Sequence, residues 1–133
     1  ALSMYSLGKG IISDTAEGIR PKIVETAKKA IERDKTYNEG SPLRVYGRYY
    51  YKVPWPYNDK TESEKILREA AQVYPNSLRT LLYLGDTLYA LGKRDEAKRQ
   101  WEKIMKTSAS AFEKVLEDVF KGMAGMRLER ISN

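Results

Sequence analysis

Apolar residues recur every three or four positions along most of the chain, which is the spacing of one face of an α-helix. The clearest series follows the segment YPNS and consists of Leu81, Leu84, Leu88 and Leu91. The next series consists of Ala97, Trp101, Ile104 and Met105. Gly92 lies between them, and glycine easily adopts the left-handed conformation that ends a helix. The pattern predicts two helices joined by a very short turn.

The same arrangement occurs twice more upstream. In the middle copy the two helical series are Leu43, Tyr46, Gly47 and Tyr50, then Ser63, Leu67, Ala70 and Ala71. In the first copy they are Met4, Leu7, Gly8 and Ile11, then Ile23, Ala27, Ala30 and Ile31. Gly8, Gly47 and Gly85 hold equivalent places 39 and 38 residues apart, a period typical of helical repeats. Glycine inside a helix costs about 1 kcal/mol relative to alanine, so its recurrence indicates close helix contacts.

The last part of the chain, about residues 109–131, is predicted to form a terminal helix with Ser110 as its N-cap. Its proposed packing face consists of Phe112, Val115, Leu116, Val119, Phe120 and Met123. Helical arrays expose an apolar end that such a helix covers. The alternative is that Phe112 and Phe120 dock onto a helix of a partner.

Together these residues resemble the tetratricopeptide repeat family, whose unit is a pair of antiparallel helices with Leu-Gly, small and aromatic residues at set places. Leu84, Gly85, Ala97 and Trp101 match that pattern, and the middle copy keeps Gly47, Tyr50, Ala70 and Pro75. The resemblance implies an all-α, right-handed superhelical array of about three hairpins and a capping helix, about seven helices in one domain, 1–133. The predicted repeats span about 1–39, 40–77 and 78–108.

In such an array the first helix of each pair lines the concave surface, so its non-packing residues face a ligand. These are Tyr5, Lys9 and Ile12 in the first copy, Arg44, Arg48, Tyr51 and Lys52 in the second, and Leu82, Asp86 and Tyr89 in the third. Arg44, Arg48 and Lys52 form a basic stripe that suits carboxylates, because arginine offers a planar fork of donors. A plain solvated helix surface is an equally good interpretation.

Trp55 lies between two prolines in the segment KVPWPYNDK, which predicts an extended loop after the tyrosine-rich helix. Two roles stay open for it: a lid beside the groove, or a filler between neighbouring hairpins, which is favoured because large aromatics are usually buried. The loop is also similar to the connection in the tetratricopeptide component associated with bacterial TRAP-type transporters, a periplasmic family.

The amino-acid composition excludes several kinds of catalytic and metal site. The chain has no cysteine and no histidine, which removes thiol nucleophiles, thiolate or imidazole metal ligands and the usual general base. Its carboxylates form no recognisable acid–base motif, so we expect no enzyme activity, no cofactor and no metal. No apolar run is long enough to span a bilayer, and no membrane insertion is expected.

The leading functional hypothesis is therefore a non-catalytic scaffold that binds a protein or peptide in the groove. The formal net charge of +6 favours acidic partners, anionic surfaces or nucleic acid, although a solvated surface with an excess of lysine is the favoured interpretation of the charge by itself. The alternative is nucleic acid, since basic grooves with stacking tyrosines suit single strands. The chain begins at Ala1 rather than Met, and reading it as a processed form favours the periplasm slightly over the cytoplasm.

Overall fold

The computed structural model describes residues 20–132. Within that range the chain forms six α-helices, one short 3-10 helix and no strand. The helices are α1 (Arg20–Asp34), α2 (Tyr37–Lys52), α3 (Lys60–Val73), α4 (Leu78–Ala90), α5 (Arg94–Lys106) and α6 (Glu117–Ser132), with the 3-10 helix at Lys114–Leu116. The all-α prediction is confirmed for this range, whereas the helix predicted around Met4–Ile11 lies outside it. No helix in residues 20–132 is long and apolar enough to cross a bilayer.

Each helix packs against the next one along the chain, and α2 also contacts α4, as α4 contacts α6. The helices α2 and α3 form one hairpin, and α4 and α5 form the next. One buried cluster joins α4, α5 and α6 and includes Leu67 of α3, and a second lies between α1, α2 and α3. This arrangement sets α2, α4 and α6 side by side.

The hairpin of α4 and α5 follows its sequence pattern closely. Ser77 caps α4 by accepting a hydrogen bond from the backbone N–H of Thr80. Gly92 has φ of +81°, and the N–H of Lys93 donates to the Leu88 carbonyl at 2.9 Å, which is the glycine-dependent ending of a helix. Met105 departs from the prediction, because it is exposed while Ala97, Trp101 and Ile104 are buried.

The two glycines inside helices mark the same contact in successive hairpins. A Cβ atom at Gly85 would lie 2.7 Å from Trp101 Cδ1 on α5. A Cβ atom at Gly47 would lie 2.6 Å from Leu67 Cγ on α3. Both distances are far shorter than ordinary van der Waals contact, so each glycine lets the returning helix pack against bare backbone. The equivalence supports the predicted repeat register.

The segment before α6 differs from the prediction. Ser110 does not cap a helix; instead residues 111–113 form a turn in which the Glu113 N–H donates to the Ser110 carbonyl at 3.1 Å. The buried Glu113 carboxylate accepts hydrogen bonds from the backbone N–H groups of Leu78 and Arg79 at 2.7 and 3.1 Å. It therefore satisfies the positive N-terminus of α4, and this contact holds the chain out of a helix here.

The packed face of α6 also differs from the predicted one. Phe120, Ala124 and Ile131 are buried against the other helices. The remaining members of the predicted face are exposed, namely Phe112, Val115, Leu116, Val119 and Met123. The prediction was wrong because this segment has apolar residues on two sides, and spacing alone does not say which side is covered.

Glu113→Gln is expected to lower the free energy of unfolding by about 1–2 kcal/mol, because hydrogen bonds to charged groups stabilise more than neutral ones. An amide also offers only one acceptor oxygen to the end of α4. Urea unfolding followed by circular dichroism measures the change. The control is Glu129→Gln, which alters an exposed residue of α6 and should leave stability unchanged; equal losses in both variants would contradict the assigned capping role.

Candidate functional site

A cavity of about 390 Å³ lies where α2, α4, α5 and α6 meet. Its lining residues are Arg48, Tyr51, Lys52, Asp86, Tyr89, Trp101, Arg127, Arg130 and Ile131. Four of these side chains are cationic and one is anionic, and we therefore call it the basic cavity. Two of the cations come from α2 and two from α6, which places positive charge on both sides of α4.

Asp86 is the central acidic group of the basic cavity. Its side chain is 6% exposed, and its carboxylate accepts from Arg48 Nη1 at 3.0 Å. On the other side it accepts from Arg127 Nε at 2.6 Å and from Arg127 Nη2 at 3.2 Å. One carboxylate thus pairs with two guanidinium groups from different helices, and its negative charge is balanced by them.

Aromatic rings fix Arg48 further. Its guanidinium lies 4.4 Å from the ring centre of Tyr51 and 4.3 Å from that of Tyr83. The ammonium of Lys60 also lies 4.6 Å from the ring centre of Tyr51. Cations attract the faces of aromatic rings, so Tyr51 is already engaged by two side chains of the protein and Arg48 is held in one orientation.

Two cations of the basic cavity have no carboxylate partner in the part of the chain that the structure describes. Lys52 and Arg130 form no salt bridge with any residue in 20–132. Their ammonium and guanidinium groups suit oxygen atoms of a ligand. The indole Nε1 of Trp101 also has no hydrogen-bond partner in that range, but it is buried against Gly85 and is not open to a ligand. Across the same range, no cluster of three carboxylates could hold a metal ion.

The structure brings together five of the residues predicted from sequence. Arg48, Tyr51, Lys52, Asp86 and Tyr89 all line the basic cavity, although their contact with a ligand stays a prediction. Asp86 was expected to face a ligand directly, but it is paired with Arg48 and Arg127. The predicted positions Tyr5, Lys9 and Ile12 lie outside the described residues.

Arg44 does not belong to the basic cavity, contrary to the predicted stripe. It is 3% exposed, and its Nη1 donates to the Glu39 carbonyl at 3.3 Å. Burial lowers the pKa of the Arg44 guanidinium, and the nearby charge of Arg79 acts in the same direction. Eight residues on a helix turn the side-chain direction by about 80°, so Arg44 and Lys52 do not share a face. Leu82, also expected in the groove, is buried in the core.

Trp55 fills no gap between hairpins, because it is 84% exposed. It also contributes nothing to the lining of the basic cavity. The preceding α2 ends at Lys52, and Asp59 starts α3 by accepting a hydrogen bond from the Glu62 N–H. The packing role is therefore wrong, Trp55 is not part of the cavity wall, and its role as a lid stays a prediction.

Arg127 and Arg130 supply the α6 side of the basic cavity and were not among the residues predicted from the sequence. The available signal was Asp86 itself. An acidic residue within an otherwise apolar helix needs a cationic partner when it is buried, and α6 carries arginines at a spacing of three, which places both near one face.

Comparison of the chain with models of protein families, with curated proteins and with solved structures finds no significant match. The resemblance to tetratricopeptide repeats therefore depends on the residues of this chain and on the packing that they produce.

Proposed function

We propose that the protein is a non-catalytic binding module that holds an acidic segment of a protein or peptide in the basic cavity. The observation that carries the proposal is the surplus of positive charge there. Asp86 forms ion pairs with Arg48 and Arg127, while Lys52 and Arg130 have no carboxylate partner in the described range. A carboxylate of a ligand would supply the missing negative charge.

We also propose that the helices form a tetratricopeptide-like superhelical array whose concave side carries this cavity. The equivalent contacts of Gly47 with Leu67 and of Gly85 with Trp101 support it. So does the side-by-side packing of α2, α4 and α6, since successive first helices line one surface in such arrays.

Two of the four cations of the basic cavity are held in place before a ligand arrives. Arg48 and Arg127 are held by Asp86, and Arg48 is also held by two tyrosine rings. Side chains fixed in this way lose little conformational entropy on binding. An acidic peptide suits such a site better than single-stranded nucleic acid, because cations already occupy the ring of Tyr51 on which a base would stack.

The test measures binding of a fluorescein-labelled oligoglutamate peptide by fluorescence anisotropy. The double variant Lys52→Glu, Arg130→Glu should bind at least about 10-fold more weakly, which corresponds to about 1.4 kcal/mol. The matched control is Lys98→Glu, Lys103→Glu, which makes the same change of net charge at exposed positions of α5 and should have little effect.

Equal weakening by the two double variants would show that only net charge matters and would overturn the cavity assignment. A single-stranded oligothymidylate serves as the second probe. If it binds more tightly than the peptide and its affinity falls steeply with salt, the nucleic-acid hypothesis replaces the acidic-peptide one.

A further inference from the structure

Helix α6 leaves a line of apolar side chains in contact with solvent. Val119, Met123 and Met126 are all exposed, Val119 to 52% and Met126 to 57%. We call these three residues the apolar strip. They lie on a different side of α6 from the buried Phe120, Ala124 and Ile131, so the strip is not needed to hold α6 in place.

The apolar strip leads directly to the basic cavity. Val119, Met123, Met126 and Arg130 follow at intervals of four, three and four residues, which places them within about 60° on the helix surface. Arg127, on the cavity wall, donates from Nη1 to the Met123 carbonyl at 3.3 Å. The line from Val119 to Arg130 is therefore one continuous surface about 16 Å long, apolar for most of its length and basic at its end.

We propose that the apolar strip and the basic cavity together bind one amphipathic helix of a partner protein, with its acidic residues at the end that meets Arg130. The inference rests on the proposed function of the cavity and specifies the form of its ligand. Methionine side chains adapt to different partners, and apolar anchors at helical spacing are a recurring way to bind an amphipathic helix.

Charge complementarity selects this occupant over a second copy of the chain. Every copy carries the same arginines at the end of the strip and the same formal net charge of +6. A parallel pairing of two such surfaces would bring their arginines together, and in either orientation two chains of net charge +6 repel each other, which opposes association. A partner helix with carboxylates at one end covers the strip and neutralises Lys52 and Arg130 at the same time.

The experiment uses synthetic, fluorescein-labelled peptides of about 14 residues, long enough to cover the surface as a helix. Two of the peptides carry leucines at positions i, i+4 and i+7. In one of them three glutamates follow the leucines by one turn, and in the other they precede the leucines by one turn, so the pair tests both directions in which a partner helix could run along the strip. Comparison peptides have the same composition with the leucines scattered around the helix, or alanine in place of leucine. Anisotropy gives the affinity of each.

At least one patterned peptide should bind about 10-fold or more tightly than its scattered and alanine versions. Val119→Ser, Met123→Ser should remove that advantage. The matched control Val45→Ser, Met105→Ser removes an exposed valine and methionine from α2 and α5 and should leave it intact. Thermal unfolding of both variants verifies that they fold.

Other outcomes overturn the inference. If all glutamate peptides bind equally and only changes at Lys52 and Arg130 matter, the cavity function stands and the strip has no part in it. If no peptide binds, both proposals fail. If light scattering shows a dimer that Val119→Ser, Met123→Ser dissociates, the strip joins two copies of this chain instead.

Discussion

Gly85→Leu is expected to lower the free energy of unfolding by about 3 kcal/mol, the upper part of the usual range for overpacking a core. The first added carbon would already lie 2.7 Å from Trp101 Cδ1. Trp101 is buried in the cluster that joins α4, α5 and α6, so its indole can move away from an added side chain only by giving up these packing contacts. The small gain in helix propensity of leucine over glycine, under 1 kcal/mol, offsets only part of this loss. Urea unfolding followed by circular dichroism measures it.

The control is the same substitution at another helical glycine. A Cβ atom at Gly122 on α6 would meet nothing within 4 Å. Gly122→Leu should therefore leave stability unchanged or raise it by a few tenths of a kcal/mol through helix propensity. Equal stability of the two variants would show that the contact between Gly85 and Trp101 is not tight in solution, and the register of the α4 and α5 hairpin would have to change.

The sequence was most informative where local and long-range signals agree. For α4 and α5, the Ser77 cap, the ending at Gly92 and the leucine spacing all indicate the same hairpin. In α6 the signals conflict, because apolar residues occupy two sides of the helix. Periodicity identifies apolar faces but does not identify the face that a neighbouring helix covers, and this depends on tertiary packing.

For a related reason, only one side of the basic cavity could be predicted from the sequence. Three residues of α2 and two of α4 line one cavity, as expected for residues that share a helix face, whereas Arg44 and Leu82 do not. Arg127 and Arg130 come from a segment whose packed side was misassigned, so their place on the cavity wall did not follow from apolar spacing. Arg44 was misplaced because residues at four-residue spacing turn gradually around a helix. Lys52 and Arg44 are two such steps apart, and Arg44 is buried while Lys52 lines the cavity.

The ion pairs of Asp86 predict the second large effect. Asp86→Ala is expected to lower the free energy of unfolding by about 3 kcal/mol, because removing one partner of a buried ion pair leaves the other charge uncompensated. The side chains of Arg48 and Arg127 are 18% and 23% exposed, so water screens them only in part and the low end of the usual range applies. Chemical unfolding with urea measures the loss.

A double-mutant cycle with Arg127→Ala separates the ion pair from other effects of the substitution. If the pair is formed, the double variant should be more stable than the sum of the two single losses indicates, by about 1 kcal/mol or more. Additive losses would show that Asp86 and Arg127 do not interact in solution, and α6 would then be held by its apolar contacts alone.

Asp86→Ala should also have different effects on the stability of the fold and on the affinity for a ligand. Among the described residues that line the basic cavity, Asp86 is the only carboxylate, so the folded fraction of the variant presents more positive charge and fewer internal partners for Arg48 and Arg127. At a temperature where the variant is folded, its affinity for the oligoglutamate peptide should equal or exceed that of the unchanged chain. A strong loss of affinity would mean that the orientation which Asp86 gives to the two arginines matters more than the charge that it removes.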